Sequence, residues 1–350
     1  MIFDPILNFF RGQAVTIPPM DGALRPNTIL DDAKILTNIE APDNLVCANG
    51  KLFFTSGEKL FALNSKKPLA SFSSSITSLA ITENNIFAVG LNAGRIEFHN
   101  SDLSALEGFS CLVALAFNGP DELYICNGSE DFKPSDWASD LMHKNASGSV
   151  WCVNLKSGQR RCLAENLAFP YGVVIDNDNA RIIVSESWKH RLVSIPISGG
   201  SPSPVLAKLA GYPARLSARS SGGYILSLFA PRNRLIEFVL LEDDYRNAMM
   251  SEFDSRYWIA PSLSASKSFL EPLQSGGVKT MGIHKPWSPT RSYGLVALLD
   301  KNFEPTDSFH SRANGTRHGI TSAIEFNGGV AAASKGGDVI IQFASDGEKS

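Results

Sequence analysis

The segment "HSRANGTRHGITS" gathers His310, Arg312, Arg317 and His318 within nine positions. Imidazole titrates near neutrality and can take or give a proton, and guanidinium can hold a carboxylate or phosphate bidentately. His318, next to an apolar strand, is the candidate general base, with Arg317 and Arg215 of "GYPARLS" as anchors for an anionic group. His310 and Arg312 read as readily as a solvated polar loop. "KPWSPTRSYG" places Trp287 and Arg291 among two prolines, a stiff stretch that suits a lid over a binding site or a rigid connector. His190, Glu186 and Asn127 sit at strand ends and read as structural hydrogen-bonding groups. The chain contains no G-x-S-x-G elbow, phosphate-binding loop, H-E-x-x-H or dinucleotide glycine pattern, which disfavours nucleotide-driven chemistry.

These residues must be positioned by strands. "PDNLVCANGKLFFT", "ITSLAITENNIFAVG", "LVALAFNGPDELYIC", "PYGVVIDNDNARIIVSE", "PARLSARSSGGYILSL" and "ITSAIEFNGGVAAAS" share one pattern. Each is a short apolar strand, a turn rich in Asn, Asp, Ser or Gly, and a second strand rich in branched and aromatic residues. Several are followed by a further hairpin, and four strands per unit is the content of a propeller blade. The expected fold is all-β: a six-bladed β-propeller with partly helical lid insertions, one domain over 1–350. Within it, 1–40 is an N-terminal segment whose "DAKILTN" can supply a ring-closing strand, 130–149 is a lid, and 231–316 is a long insertion with a return strand. Innermost strands begin at one mouth of a propeller channel, so the repeat names a pore ring of Asp43, Thr77, Val113, Tyr171, Ala214 and Thr321. Of these, Asp43, Thr77 and Thr321, with Arg215, Arg317 and Trp287, form the expected substrate-binding set.

A formal net charge of -3 with mixed signs argues against a nucleic-acid partner. No apolar run is long enough for a spanning helix, although Ile2 to Phe10 can dock on the body or touch a membrane surface. The interrupted N-terminal run does not read as a secretory signal, and a cytoplasmic location is the expectation. The five cysteines lack metal-ligand spacing. Cys152 and Cys162 can face each other across a hairpin, with free thiols the favoured reading.

"LAFPYGVVIDNDNARIIVSESWKHRLVSI" followed by "GYPARLSARSSGGYILSLFAPRN" resembles the strictosidine synthase-like proteins, which group with gluconolactonase and paraoxonase-type six-bladed propellers. The likeness extends over the "DW..DL...N..G.VW" stretch and from "SYGLV.LLD" to "GITSAIEFNGG". It implies a propeller and a small-molecule site in its pore. The hydrolases of that superfamily hold calcium at the pore floor. Here Asp43 matches their first-blade acid, but Tyr171 stands at the Asn of "FPNG" and Ala214 at the Asp of "GYPDN". Calcium wants six to eight oxygens, so the resemblance implies no cofactor, with Asp43 the one retained ligand if a metal binds. Tyr171 then either donates a hydrogen bond to substrate as part of the catalytic set or plugs the channel. Strictosidine synthase condenses an amine with an aldehyde, assisted by a last-blade glutamate. Glu325 is the carboxylate of that segment, while Thr321 is the pore-facing strand start, and either can be its counterpart.

The expected function is therefore a metal-independent, strictosidine synthase-like enzyme acting on a small polar or anionic molecule by condensation or its lyase reverse, with His318, Glu325 and Tyr171 as candidate catalytic groups. The alternatives are a calcium-dependent lactonase or arylesterase and a non-catalytic ligand-binding propeller.

Overall fold

The computed structural model describes residues 17–265 and 290–345. Among them, antiparallel strands form six sheets, five of four strands and one of three, arranged as the blades of a propeller. The inner strands are Pro42–Ala48, Ile76–Ile81, Leu112–Asn118, Pro170–Asp176, Gly211–Ala218 and Ile320–Phe326. Five begin at the repeat start read from the sequence, and that of the fifth blade begins two residues before its repeat start, Pro213. Their second strands are nearly continuous apolar runs, buried on both faces between neighbouring blades, as in Phe87–Leu91 and Gly329–Ser334.

The last blade takes its outer strand from the N-terminal side of the chain. Lys34–Asn38 pairs antiparallel with Val339–Ala344, so "DAKILTN" closes the ring as expected. The second blade keeps only three strands, with a single bridge between Ile96 and Leu106 at its outer edge.

A 3-10 turn at Pro134–Asp136 and a short helix, Trp137–Met142, fill the expected lid between the second and third strands of the third blade. The fifth blade carries two helices, Arg234–Leu241 and Asp243–Glu252, between its second strand and Gly294–Leu299. Pro305–Ser311 is the fourth strand of that blade, so the long insertion ends earlier than the sequence pattern suggests. "PTDSFHS" has too few apolar positions to announce a strand. Both insertions leave from the ends of second strands, which is the end where inner strands begin.

All six inner strands slip register against their second strands near that end. Thr77, Val113, Tyr171 and Thr321 each fall between two paired neighbours without a partner opposite, Asn44 and Leu45 are skipped in the first blade, and Ala214 and Arg215 in the fifth. These are β-bulges, which free a carbonyl from the ladder and re-aim the local backbone. Close packing of inner strands at the axis also explains Gly172: a Cβ there would lie 2.6 Å from the Ala214 carbonyl oxygen.

Candidate active site

The six bulges converge on one side chain. Arg215 extends from the fifth blade across the pore, where Nη1 donates to Asp43 Oδ1 at 2.7 Å and Nη2 donates to the carbonyl oxygens of Thr77 at 2.7 Å and Val113 at 2.9 Å. Its guanidinium lies 5.1 Å from the Tyr171 ring centroid. Thr321 Oγ1 donates to Asp43 Oδ1 at 2.8 Å, bringing in the sixth blade. The carbonyls that meet the guanidinium are those left unpaired by the bulges at Thr77 and Val113. The bulged backbone thus builds an oxygen ring, and the protein's own cation fills it.

Asp43 is the hub. It is 4% exposed and accepts a further bond at Oδ1 from its neighbour Asn44 N–H, while Oδ2 accepts from Lys335 Nζ at 2.8 Å. Burial alone would raise its pKa, but Arg215, Lys335 and Thr321 outweigh it and hold the carboxyl well below the usual range. Burial likewise opposes the charge on Lys335, yet Asp43 keeps its pKa raised. Burial and the Asp43 charge push the Tyr171 phenol up. Near neutral pH the site holds one carboxylate, two cations and a protonated phenol.

Above this floor opens a cavity of about 270 Å³. One wall is aromatic: Trp137, Phe169, Tyr171, Trp188 and Phe229. Phe169 stacks on Trp188 at 4.5 Å between centroids, and Trp137 meets Phe229 edge-on at 5.4 Å. The lid helix locks this wall, since Trp188 Nε1 donates to Asp140, which also accepts from Asn145 at 2.8 Å. The lining also presents the polar residues Thr55, Ser75, Thr77, Asn92 and Ser135. Lys335 enters at the base with about a third of its side chain exposed.

The structure redistributes the sequence-derived candidates. Asp43, Thr77, Tyr171 and Thr321 come together at the axis, as the repeat implied. Arg215 is there too, but it turns inward to Asp43 and the ring carbonyls instead of anchoring a ligand, because the bulges supply acceptors that would otherwise be unpaired. Glu325 lies four residues past Thr321 along the strand, about 13 Å away, where Oε2 accepts from Ser220 N–H at 2.7 Å. Of the two last-blade positions, the pore-facing one is Thr321. His318 is 1% exposed, with Nδ1 at 2.7 Å from Ser292 Oγ and Nε2 at 2.8 Å from the Arg312 carbonyl, so both ring nitrogens are engaged away from the cavity. Arg317 is not among the residues lining the cavity, and its backbone N–H donates to Ser311 Oγ at 3.0 Å. Trp287 lies outside the described residues.

Of the residues read as structural, Asn127 Oδ1 accepts from Cys111 N–H at 2.7 Å, and buried Glu186 accepts from Ala168 N–H at 2.9 Å. His190 packs edge-on against Tyr212, with Nε2 at 3.3 Å from Glu237. All five cysteines are free thiols, and Trp151, not Cys152, pairs opposite Cys162.

Lys335 was not signalled by the strand starts. It directly follows the second strand Gly329–Ser334, and Gly57 and Asn92 reach the cavity from the equivalent places after other second strands, with Trp188 one residue further on in its blade. Reading the same repeat one strand further would have found it.

Calcium does not fit this floor. Its carboxylate and two of its bulge carbonyls are already bound to a guanidinium, and Tyr171 and Ala214 offer no carboxylate or amide oxygen from their side chains.

A strictosidine synthase family model matches residues 114–199. Over that stretch the chain is similar to strictosidine synthase. That stretch runs from the inner strand of the third blade to the third strand of the fourth, and includes the lid helix and Tyr171. Adipocyte plasma membrane-associated protein of Danio rerio is 23% identical over 185 residues, 50% of this chain and 44% of that protein. The strictosidine synthase-like 10 protein of Arabidopsis thaliana is 20% identical over 132 residues, 37% of this chain and 35% of its own. The matched part thus spans less than half the length of these relatives. Among solved structures, a luciferin-regenerating enzyme superposes with a TM-score of 0.50 at 10% identity, covering 91% of this chain and 95% of its own, a likeness of fold. No helix among the described residues is long and apolar enough to cross a membrane.

Proposed function

We propose that this strictosidine synthase-like propeller is a metal-independent enzyme acting on a small polar or anionic organic molecule in the aromatic-walled cavity, by condensation or its lyase reverse. The observation that carries the reading is the place of Arg215: a tethered guanidinium occupies the axial oxygen ring and leaves Lys335 and Tyr171 as the donors facing substrate. An ammonium or a phenol held at the base of a largely apolar cavity can polarise a substrate carbonyl as negative charge develops on its oxygen. Asp43, held ionised far below neutrality, is a weak proton acceptor. Its part is to fix Arg215 and Lys335.

The calcium-dependent lactonase alternative would need the oxygens that Arg215 engages. A non-catalytic ligand-binding propeller has one specific observation in its favour: Asp43, Tyr171 and Lys335 are all displaced away from neutrality, so none is poised to shuttle protons there.

The test is mass-spectrometric detection of condensation products, or of their cleavage, from panels of amines and aldehydes, using chelator-treated protein. Turnover that survives chelation and falls in Lys335→Met supports the proposal. Turnover that requires added calcium overturns it, and ligand binding with no turnover across the panels favours the binding propeller.

A further inference from the structure

Charge balance at the cavity floor is incomplete. Asp43 is one carboxylate facing two cations, and its oxygens already accept from Arg215, Thr321, Asn44 and Lys335. Arg215 spends its fork on Asp43 and the two ring carbonyls. Among the described residues Lys335 has a single acceptor, Asp43, which leaves two of its three N–H groups for the cavity it lines. The groups whose charges act most on Lys335 are Asp43, Tyr171 and Arg215, and the phenol is protonated near neutrality. A partly buried floor with net positive charge favours an anion over a protonated amine.

Shape and wall chemistry narrow the anion. The five aromatic lining residues present ring faces and edges suited to a flat apolar body. A dry cavity of about 150 Å³ suffices for benzene, so the 270 Å³ here leaves room for a ring with a polar arm or for a fused bicycle. A carboxylate can accept both free N–H groups of Lys335, while Thr77, Asn92 or Ser135 serves a second polar substituent.

We propose that the cavity binds a small aromatic carboxylate, its acid group on Lys335 and its ring against Trp137, Trp188 and Phe229. This deepens the small-molecule reading above and rests on it. Lys335 becomes the specificity-determining residue, selecting charge where the aromatic wall selects shape.

The experiment is calorimetric titration, with quenching of tryptophan emission as a second readout, of benzoate and indole-3-carboxylate, their uncharged amides, and benzylamine. The acids should bind about tenfold or more tightly than the amides, the worth of a charge-assisted contact, and benzylamine should bind most weakly. Lys335→Met should abolish the preference for acid over amide, and Lys335→Arg should keep it. An amide or amine that binds as tightly as the acid, or an acid preference unchanged in Lys335→Met, overturns the charge assignment while leaving a small-molecule site standing. No heat and no quenching with any of the three classes overturns the site reading and this proposal with it.

Discussion

Arg215 Nη1 lies 2.7 Å from Asp43 Oδ1, joining the fifth blade to the first across the propeller axis. Through the same two side chains the axis also reaches the carbonyls of Thr77 and Val113, the hydroxyl of Thr321, the ring of Tyr171 and the ammonium of Lys335. An ion pair so placed acts as a pin through the ring, and the cavity floor depends on it.

Removing the pin should therefore cost stability as well as shape. Arg215→Ala leaves Asp43 paired only with Lys335 and strips two bulge carbonyls of their donor. Breaking a buried pair from one side costs about 3–5 kcal/mol, and a clear fall in the denaturant midpoint is the expected outcome. Arg215→Lys should recover only part of it, because an ammonium cannot reach several blades with a planar fork. An unchanged midpoint in Arg215→Ala would show that the axis bears no load.

Mild acid should weaken the fold through a histidine far from the cavity. His310 is fully buried, with ring nitrogens at 2.7 Å from Ser308 Oγ and 3.2 Å from Tyr293 OH, and burial lowers its pKa to about 4 from an ordinary 6.5. The native imidazole stays neutral while the unfolded one protonates, so stability is full above the unfolded value and falls as pH drops from about 6.5 to about 4. The loss from this group is up to about 3 kcal/mol. His190 and His318 are lowered by burial as well and act with the same sign. Denaturant midpoints measured across this range should fall toward acid, and His310→Gln should flatten the slope.

Two residues from the last blade separate the site from its surroundings. Glu325→Ala removes a carboxylate that accepts from Ser220 N–H at the far end of its strand, so ligand affinity should stay within about twofold, while Lys335→Met should weaken acid binding about tenfold or more. Titrations of both variants check the contrast, and equal losses would place Glu325 in the site.

The propeller was legible because its signal repeats. Strand, polar turn and strand recur six times, each start falling within a few residues of an inner strand, and "DAKILTN" closes the ring as its leftover position implied. Which residues reach the axis was partly legible, because Asp43, Thr77, Tyr171 and Thr321 follow from the repeat. Their orientations were not. A bulge shifts pairing by a residue without changing the apolar pattern, so nothing in "GYPARLS" says that Arg215 points into the ring. His318 misled for a related reason: proximity in sequence to a pore-facing strand says little about a side chain one turn upstream, which here is spent on Ser292 and the Arg312 carbonyl. Lys335 belongs to a loop whose partner, Asp43, is 292 residues away, a pairing only the closed ring creates.

The most direct test of the tethered cation is calcium calorimetry on chelator-stripped protein, with Asp43→Ala and Arg215→Ala alongside. The structure predicts no binding heat in the parent protein, because Arg215 holds the ring oxygens. Micromolar calcium binding in the parent protein that vanishes in Asp43→Ala would contradict the account and move the metal-dependent hydrolase to first place.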